Sequence, residues 1–440
     1  MASPRLASAR PSFIQSDRAL ARAAQPFVRF SHIEASGGVV LVIATLVALV
    51  WANTPWSASY ESLWHTEISV EVGSYLFRED LGHLVNDLLM AMFFFVVGME
   101  IKREMVVGDL RDRKTVALPA LAALGGMVVP ALIFVGLAGS GGAREGWGVP
   151  MATDIAFAVG VVALLGSRVP SGAKLMLLTL AIVDDIGAIV VIALVYSSDV
   201  DPKMLVVAAL IVVVLVAFNR ADVTYVPMIA FTGLALWLAV YESGVHATIA
   251  GVVMGLLTPA RPHQTELEAE EIVDVLEGRE DITVADIRAT AAAIRGSVSA
   301  CDRMIDALHP WTSFVIVPLF ALANAGIELS ADTFTSPSRV LGAVAIALVV
   351  GKLVGVSLFS WLAVRLRIGR LPAGVAWRHV FGIGGLAGIG FTVSLFITGL
   401  AFTDEQLATD AKAGIIVAAL VATALGSILF VRAARSDQSS

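Results

Sequence analysis

The sequence predicts an all-α polytopic membrane protein of about twelve transmembrane helices, with inverted repeats (spans 3–5 and 10–12) and discontinuous spans 4 and 11. Three observations lead there. Of 440 residues, 57% are hydrophobic and only 15% charged, against about 25% in soluble domains. Apolar runs follow one another along most of the chain, and the basic residues between them alternate in density. Two of the runs are interrupted by residues that a lipid-facing helix would not carry.

The runs fall at 37–52, 81–99, 116–138, 149–165, 175–197, 203–218, 226–240, 244–257, 311–327, 340–364, 379–401 and 413–431. Between them, Lys and Arg sum to 24 on alternate segments and 5 on the others, with Lys352 left inside a span. The positive-inside rule then places both termini in the cytoplasm. This divides the chain into an inner tail (1–30), spans one to eight (31–257), an inner loop (258–310), spans nine to twelve (311–431) and a second inner tail (432–440).

The connecting segments have patterns of their own. Residues 1–30 carry five Arg and no apolar core, which speaks against a cleaved secretory signal and for a tail held inside. In 57–78, Ile68, Val70 and Val72 alternate with Glu67, Ser69 and Glu71, the period of a short strand or hairpin on the outer face; a plain loop is the alternative. In 283–308 apolar residues recur every three or four positions, an amphipathic helix opened by Thr283 with Asp286 three residues on. Ahead of it, 266–286 holds nine acidic residues and reads as a solvated lobe. Net charge is −7 with no basic face, so no nucleic acid is expected, and the single Cys301 excludes an intrachain disulfide or a multi-cysteine metal site.

Span 4 opens Val149-Pro150-Met151-Ala152-Thr153-Asp154, and span 11 carries five glycines between Gly382 and Gly390. Irregular backbone at membrane depth is tolerated only inside protein or beside water. Each interrupted span is the middle of a three-span block, which points to repeats meeting at a site.

The ionisable residues at membrane depth are Asp154, Asp184, Asp185 and Lys352. An Asp at the centre of a helix costs about 2.5–3.5 kcal/mol on insertion, so two in succession need a partner or a task. A structural salt bridge is one reading and a cation or proton site the other. Asp184 and Asp185 lie about 100° apart around a helix, so one can face Lys352 while the other faces a cavity. Asp154 suits the N-termini of broken helices and Lys352 the carbonyl ends, a role compatible with transport. A pair of carboxylates with a Thr hydroxyl, backbone carbonyls and water offers hard oxygen donors, matched to Na+ or Li+, or to protons. One site that holds either ion and opens alternately to each side is an exchanger.

The strings HLVNDLLMAMFFFVVGMEIKRE (83–104), PMATDIAFAVGV (150–161), LAIVDDIGAIVVIALVY (180–196), GVHATIAGVVMGLLTP (244–259), LHPWTSFVIVPLFALANAGI (308–327), GKLVG (351–355) and GIGFTVSLFI (388–397) resemble the NhaA sodium/proton antiporter family over roughly 30–430. Inverted repeats are documented for NhaA itself, so the repeat expectation is not independent of the resemblance. The resemblance implies electrogenic exchange of Na+ or Li+ for H+ across a bacterial cell membrane, with no cofactor and no enzymatic activity. It implies Asp185 as the principal ion ligand, Asp184 as its neighbour paired with Lys352, and Thr153 and Asp154 at the helix crossing. It further implies a homodimer through 57–78, and pH regulation by Glu100, Glu104 and His246 at the cytoplasmic mouth, although Glu104 also reads as a solvated helix-end charge. One departure stands out: Ile305-Asp306 replaces the Glu-His pair of the family pattern before His309.

Three rivals are weaker. An intramembrane aspartyl protease would need a Gly-x-Gly-Asp string, which is absent. A proton-coupled carrier of another solute should show polar and aromatic residues at the midplane beyond the four charges. A channel has no need of a buried lysine.

Overall fold

The structure, a computed structural model, describes residues 36–72, 75–111, 113–197, 200–221, 226–262, 283–328 and 338–438. The basic tail 1–30 and most of the acidic run 266–286 lie outside the described residues. Among those described, seven helices are long and apolar enough to cross a membrane, or ten if each of three bent pairs counts as one span.

The chain enters as α1 (Ser36–Ala52), which turns through 115° into the short α2 (Ser57–Trp64). A hairpin follows: β1 (Glu67–Val72) pairs antiparallel with β2 (Tyr75–Asp80), with Val72 opposite Tyr75 and Glu67 opposite Asp80. The alternation in 57–78 therefore covers only part of that segment as strand, since 57–64 is helical. Next come α3 (Leu81–Val106) and α4 (Arg113–Leu137). The 3-10 segment Gly141–Met151 then bends by 46° into α5 (Ile155–Leu165) and its 3-10 end. After α6 (Ser171–Val195) and α7 (Pro202–Arg220), two shorter apolar helices follow, α8 (Val226–Tyr241) and α9 (Thr248–Leu257). The second half holds α10 (Val284–Gly296), α11 (Ala300–Asn324), α12 (Arg339–Arg365), the bent pair α13 (Trp377–Ala387) and α14 (Phe391–Ala401), and the long α15 (Glu405–Gln438).

Three boundaries differ from the sequence reading. Span 4 starts earlier: Gly141–Met151, read as loop plus span, is a 3-10 helix. Its rise of about 2 Å per residue covers depth with few residues. The single amphipathic helix expected over 283–308 is two helices, because Ser299 accepts from Asp302 N (3.0 Å) and starts α11 there. Thr283 and Asp286 cap α10 as an exchanging pair: Asp286 Oδ2 accepts from Thr283 N (3.0 Å), and Thr283 Oγ1 accepts from Asp286 N (3.2 Å). In span 11 the break is confined to 388–390, while Gly382, Gly384 and Gly385 are helical. The helical glycines serve contact: a methyl on Gly385 would lie 3.0 Å from Gly426 Cα of α15.

The protein interior is built by close helix crossings. A methyl at Gly125 would stand 2.3 Å from the Gly355 carbonyl oxygen, and one at Gly355 2.1 Å from that of Gly125. Helices α4 and α12 therefore meet backbone to backbone, as small residues permit in membranes. This crossing carries Lys352, one turn before Gly355, into the centre. A π turn, Ala347–Gly351, ends immediately before Lys352. On the outside, α7 shows Val206, Leu210 and Val213 at 60, 61 and 64% exposure, a face suited to lipid.

Candidate ion-binding site

The two broken spans cross at their breaks, where the backbone of span 4 is extended at Ala152 and Asp154 and that of span 11 leaves the helix at 388–390. Asp154 ends the break in span 4 and N-caps α5, its Oδ1 accepting from Phe157 N (2.9 Å). Its Oδ2 accepts from Thr392 N (3.0 Å) and Thr392 Oγ1 (2.7 Å) in the first turn of α14. One carboxylate thus caps two half-helices, where partial positive charge from unsatisfied N–H groups accumulates. Asp154 N also donates to Ile389 O (2.6 Å), and Ser394 Oγ to Val149 O (2.6 Å). These bonds lock the crossing, and they need Gly390, where a methyl would lie 3.0 Å from Ala152 O.

The carbonyl ends have the opposite partner. Lys352, fully buried, donates to Met151 O at the end of the 3-10 half, to Thr153 Oγ1 (3.1 Å) and to Asp184 Oδ2 (2.6 Å). That uses all three donors of an ammonium. Thr153 Oγ1 lies 2.8 Å from Asp184 Oδ2 and 3.0 Å from Ala387 O, the last carbonyl of α13. The hydroxyl therefore joins both broken spans to α6.

Asp185 is turned elsewhere. It is 3% exposed, and it lines a cavity of about 560 Å³. Leu175, Leu178, Ile182 and Asp185, spaced by three and four along α6, form one wall. Thr153, Asp154 and Thr392 line the deep end, and Glu100, Arg103, Glu104 and His309 the shallow end. Asp185 Oδ1 and Asp184 Oδ1 are both buried with no hydrogen-bond partner among the described residues. A buried carboxylate oxygen left unpaired is costly unless a proton or cation satisfies it. Beyond Asp185, α6 is packed by buried Ala188, Ile189 and Ile192, so the cavity reaches the carboxylate from one end of the helix.

Of the sequence-predicted residues, Thr153, Asp184 and Lys352 are brought into one bonded group, Asp154 bonds separately to Thr392, and Asp185, Thr153, Asp154, Glu100 and Glu104 share the cavity. His246 is not among them. Its Nε2 lies 2.6 Å from Tyr196 O, at the opposite end of α6 from the cavity mouth. The reason is topological: His246 precedes α9, whose start shares one end of the bundle with the end of α6. His309 lines the mouth instead, and Arg103 pairs with Asp302 (2.8 Å) across α3 and α11 beside it. Neither of these, nor Thr392, was singled out from sequence. The signal available was His309 in the quoted string opening at 308, and Thr392 directly after the glycine break. Among the described residues no three carboxylate, imidazole or thiol groups gather as a resident metal cage; a transported ion needs fewer protein donors.

A family model described as Na+/H+ antiporter 1 matches residues 28–430. The chain is 46% identical over 428 residues to Na(+)/H(+) antiporter NhaA 2 of Myxococcus xanthus, covering 94% of this chain and 91% of that one. It is 44% identical to Na(+)/H(+) antiporter NhaA of Rhodopirellula baltica, over 91 and 92% of the two chains. It is 46% identical to Na(+)/H(+) antiporter NhaA 3 of Frankia alni, over 92 and 88%. With a multi-pass helical architecture, paired breaks at the crossing and a match along nearly its whole length, this chain belongs to the NhaA-type Na+/H+ antiporter family.

Proposed function

We propose that this protein exchanges Na+ or Li+ for H+ across a bacterial cell membrane by alternating access. One observation carries the reading: Asp185, deep in the bundle, presents an unpartnered carboxylate oxygen to a cavity, while the adjacent Asp184 is held by Lys352. In this reading the cavity faces the cytoplasm and the arrangement is the inward-open, cation-free state. A sodium ion arriving at Asp185 draws in Asp184 Oδ1, whose lone pairs are unused, and the oxygen of Thr153 lies nearby as a further hard donor. Charge brought to Asp184 weakens its hold on Lys352, and protons leave the carboxylates and the ammonium as the ion enters. The crossing, with Asp154 and Lys352 offsetting the half-helix ends, rocks to expose the site outward, where protons return. More than one titrating group at the site makes the cycle electrogenic.

The wider architecture follows the same proposal: twelve spans in inverted repeats, both termini cytoplasmic, no cofactor, and a homodimer formed through the hairpin, whose two strands pair with no third strand among the described residues. Glu100 and Glu104 line the cavity mouth and are the proposed pH-regulatory groups. His246, at the other end of α6, is not placed beside them.

The test is proton flux in everted vesicles on addition of Na+, Li+ and then K+ between pH 6 and 9. Na+ and Li+ should drive proton uptake changes, K+ should not, and Asp185→Asn should abolish the response. A response to an organic solute with none to Na+ would replace this reading with a proton-coupled carrier.

A further inference from the structure

A second cavity, of about 700 Å³, adjoins the ion cavity along α6. Thr115, Val116 and Pro119 of α4 form one wall, and Leu175, Met176 and Thr179 of α6 another. The third wall is the linker from α12 to α13, with Arg367 and Arg370. Neither guanidinium has a hydrogen-bond or ion-pair partner among the described residues, and both residues are exposed. The linker is held on both sides. A methyl on Gly369 would stand 2.7 Å from Leu118 Cβ of α4, and one on Gly172 2.6 Å from the Ala373 carbonyl oxygen. Arg367 itself sits at φ 59°, directly after the end of α12, a position glycine usually fills. The helix end closes over it through Ile368 N to Ala363 O (2.9 Å).

We infer that this cavity binds the phosphate of an anionic phospholipid in the inner leaflet, with the acyl chains against the apolar wall. Naming the leaflet rests on the orientation proposed above; the binding does not. Two guanidiniums without a partner among the described residues match a phosphodiester in charge and geometry. The remaining walls, Val116, Pro119, Leu175, Met176 and Leu371, offer apolar surface that a free anion would not use. The site lies at the ends of three spans, where basic pockets meet lipid headgroups. Its place also joins it to transport: Leu175 and Thr179 line both cavities, α6 carries Asp184 and Asp185, and the linker runs from the helix bearing Lys352 to broken span 11. A lipid seated there would brace α6 against the linker.

The experiment is native mass spectrometry of the full chain in detergent, titrated with phosphatidylglycerol, phosphatidylcholine or inorganic phosphate. Phosphatidylglycerol should bind at one site more tightly than phosphatidylcholine. The double variant Arg367→Gln/Arg370→Gln should weaken it about thirtyfold, since each basic residue near an anionic headgroup contributes about fivefold. If the double variant does not fold, Arg370→Gln alone should weaken it about fivefold. Val116→Trp, which fills the cavity and keeps both charges, should also abolish the site, while Arg220→Gln and Arg435→Gln should leave it intact. Equal loss in the control variants would mean only annular lipid. Displacement by inorganic phosphate at similar concentration would mean a free-anion site. An unchanged Arg370→Gln or Val116→Trp titration would also overturn the inference. None of these readouts measures ion exchange, so they stand or fall apart from the proposed antiport.

Discussion

Lys352 Nζ lies 2.6 Å from Asp184 Oδ2, and neither side chain is exposed to any degree. The two residues are 168 positions apart, on α12 and α6, and their bond ties the two halves of the chain together at membrane depth. A buried ion pair of this kind adds little over a well-packed apolar pair, but breaking it from one side strands a charge.

Lys352→Ala should therefore lower the apparent thermal stability markedly, in the range of about 3–5 kcal/mol for a buried pair broken on one side. Adding Asp184→Asn should recover much of the loss, because the stranded carboxylate is then neutral. Thermal unfolding of the two single variants and the double variant in detergent checks this. Additive losses would mean that the two groups are not coupled.

Asp185 behaves differently because its Oδ1 has no partner to lose among the described residues. Asp185→Asn should leave unfolding temperature equal or higher while abolishing Na+-driven proton flux. Wild-type protein should gain about 2.7 kcal/mol of stability when Na+ exceeds its dissociation constant a hundredfold, and the variant should gain none. Unfolding scans with and without Na+ measure both.

Asp154 and Thr392 form the strut of the crossing. Asp154→Ala leaves Phe157 N and Thr392 N without their acceptor, at about 1–3 kcal/mol for each buried group. Thr392→Val removes only the hydroxyl bond, for about 0.5–1.5 kcal/mol. In the Asp154→Ala background Thr392→Val should be close to neutral, since the shared bond is already gone. A double-mutant cycle on unfolding temperature reads the coupling.

Sodium and protons compete for the same carboxylate oxygens in this mechanism. If one proton leaves for each Na+ bound, the apparent dissociation constant for Na+ should fall tenfold per unit rise in pH while the carboxyl is protonated in the free protein, and a hundredfold if two leave. The sign is set by the release: raising pH removes the competitor and tightens binding. Above the pH at which the free site is already ionised, the dependence should vanish. Calorimetric titration from pH 6 to 9 gives the slope, and a flat line would remove competition from the mechanism.

Much of the site is legible in the sequence because oil makes local chemistry conspicuous. Asp184 and Asp185 in an otherwise apolar run, and a lone Lys352 in another, are too costly to be incidental. Pro150 through Asp154 and the glycines near 388 announced the breaks for equally local reasons: missing donors and a backbone without side-chain bulk. The loop charges gave an orientation for the same reason. What local chemistry does not contain is which remote surface each group meets. The helical angle separates Asp184 from Asp185, but only the packing of α12 on α4, through Gly125 and Gly355, decided that Asp184 takes the lysine. The pairing of Asp154 with Thr392, 238 residues away, and the exclusion of His246 from the cavity were settled in the same way. So was the cavity against Arg367 and Arg370. The sequence by itself determined that these charges must be buried and answered. The tertiary structure alone decided the answers, because a desolvated group takes the partner that helix crossings bring within about 3 Å, and those crossings depend on the whole bundle.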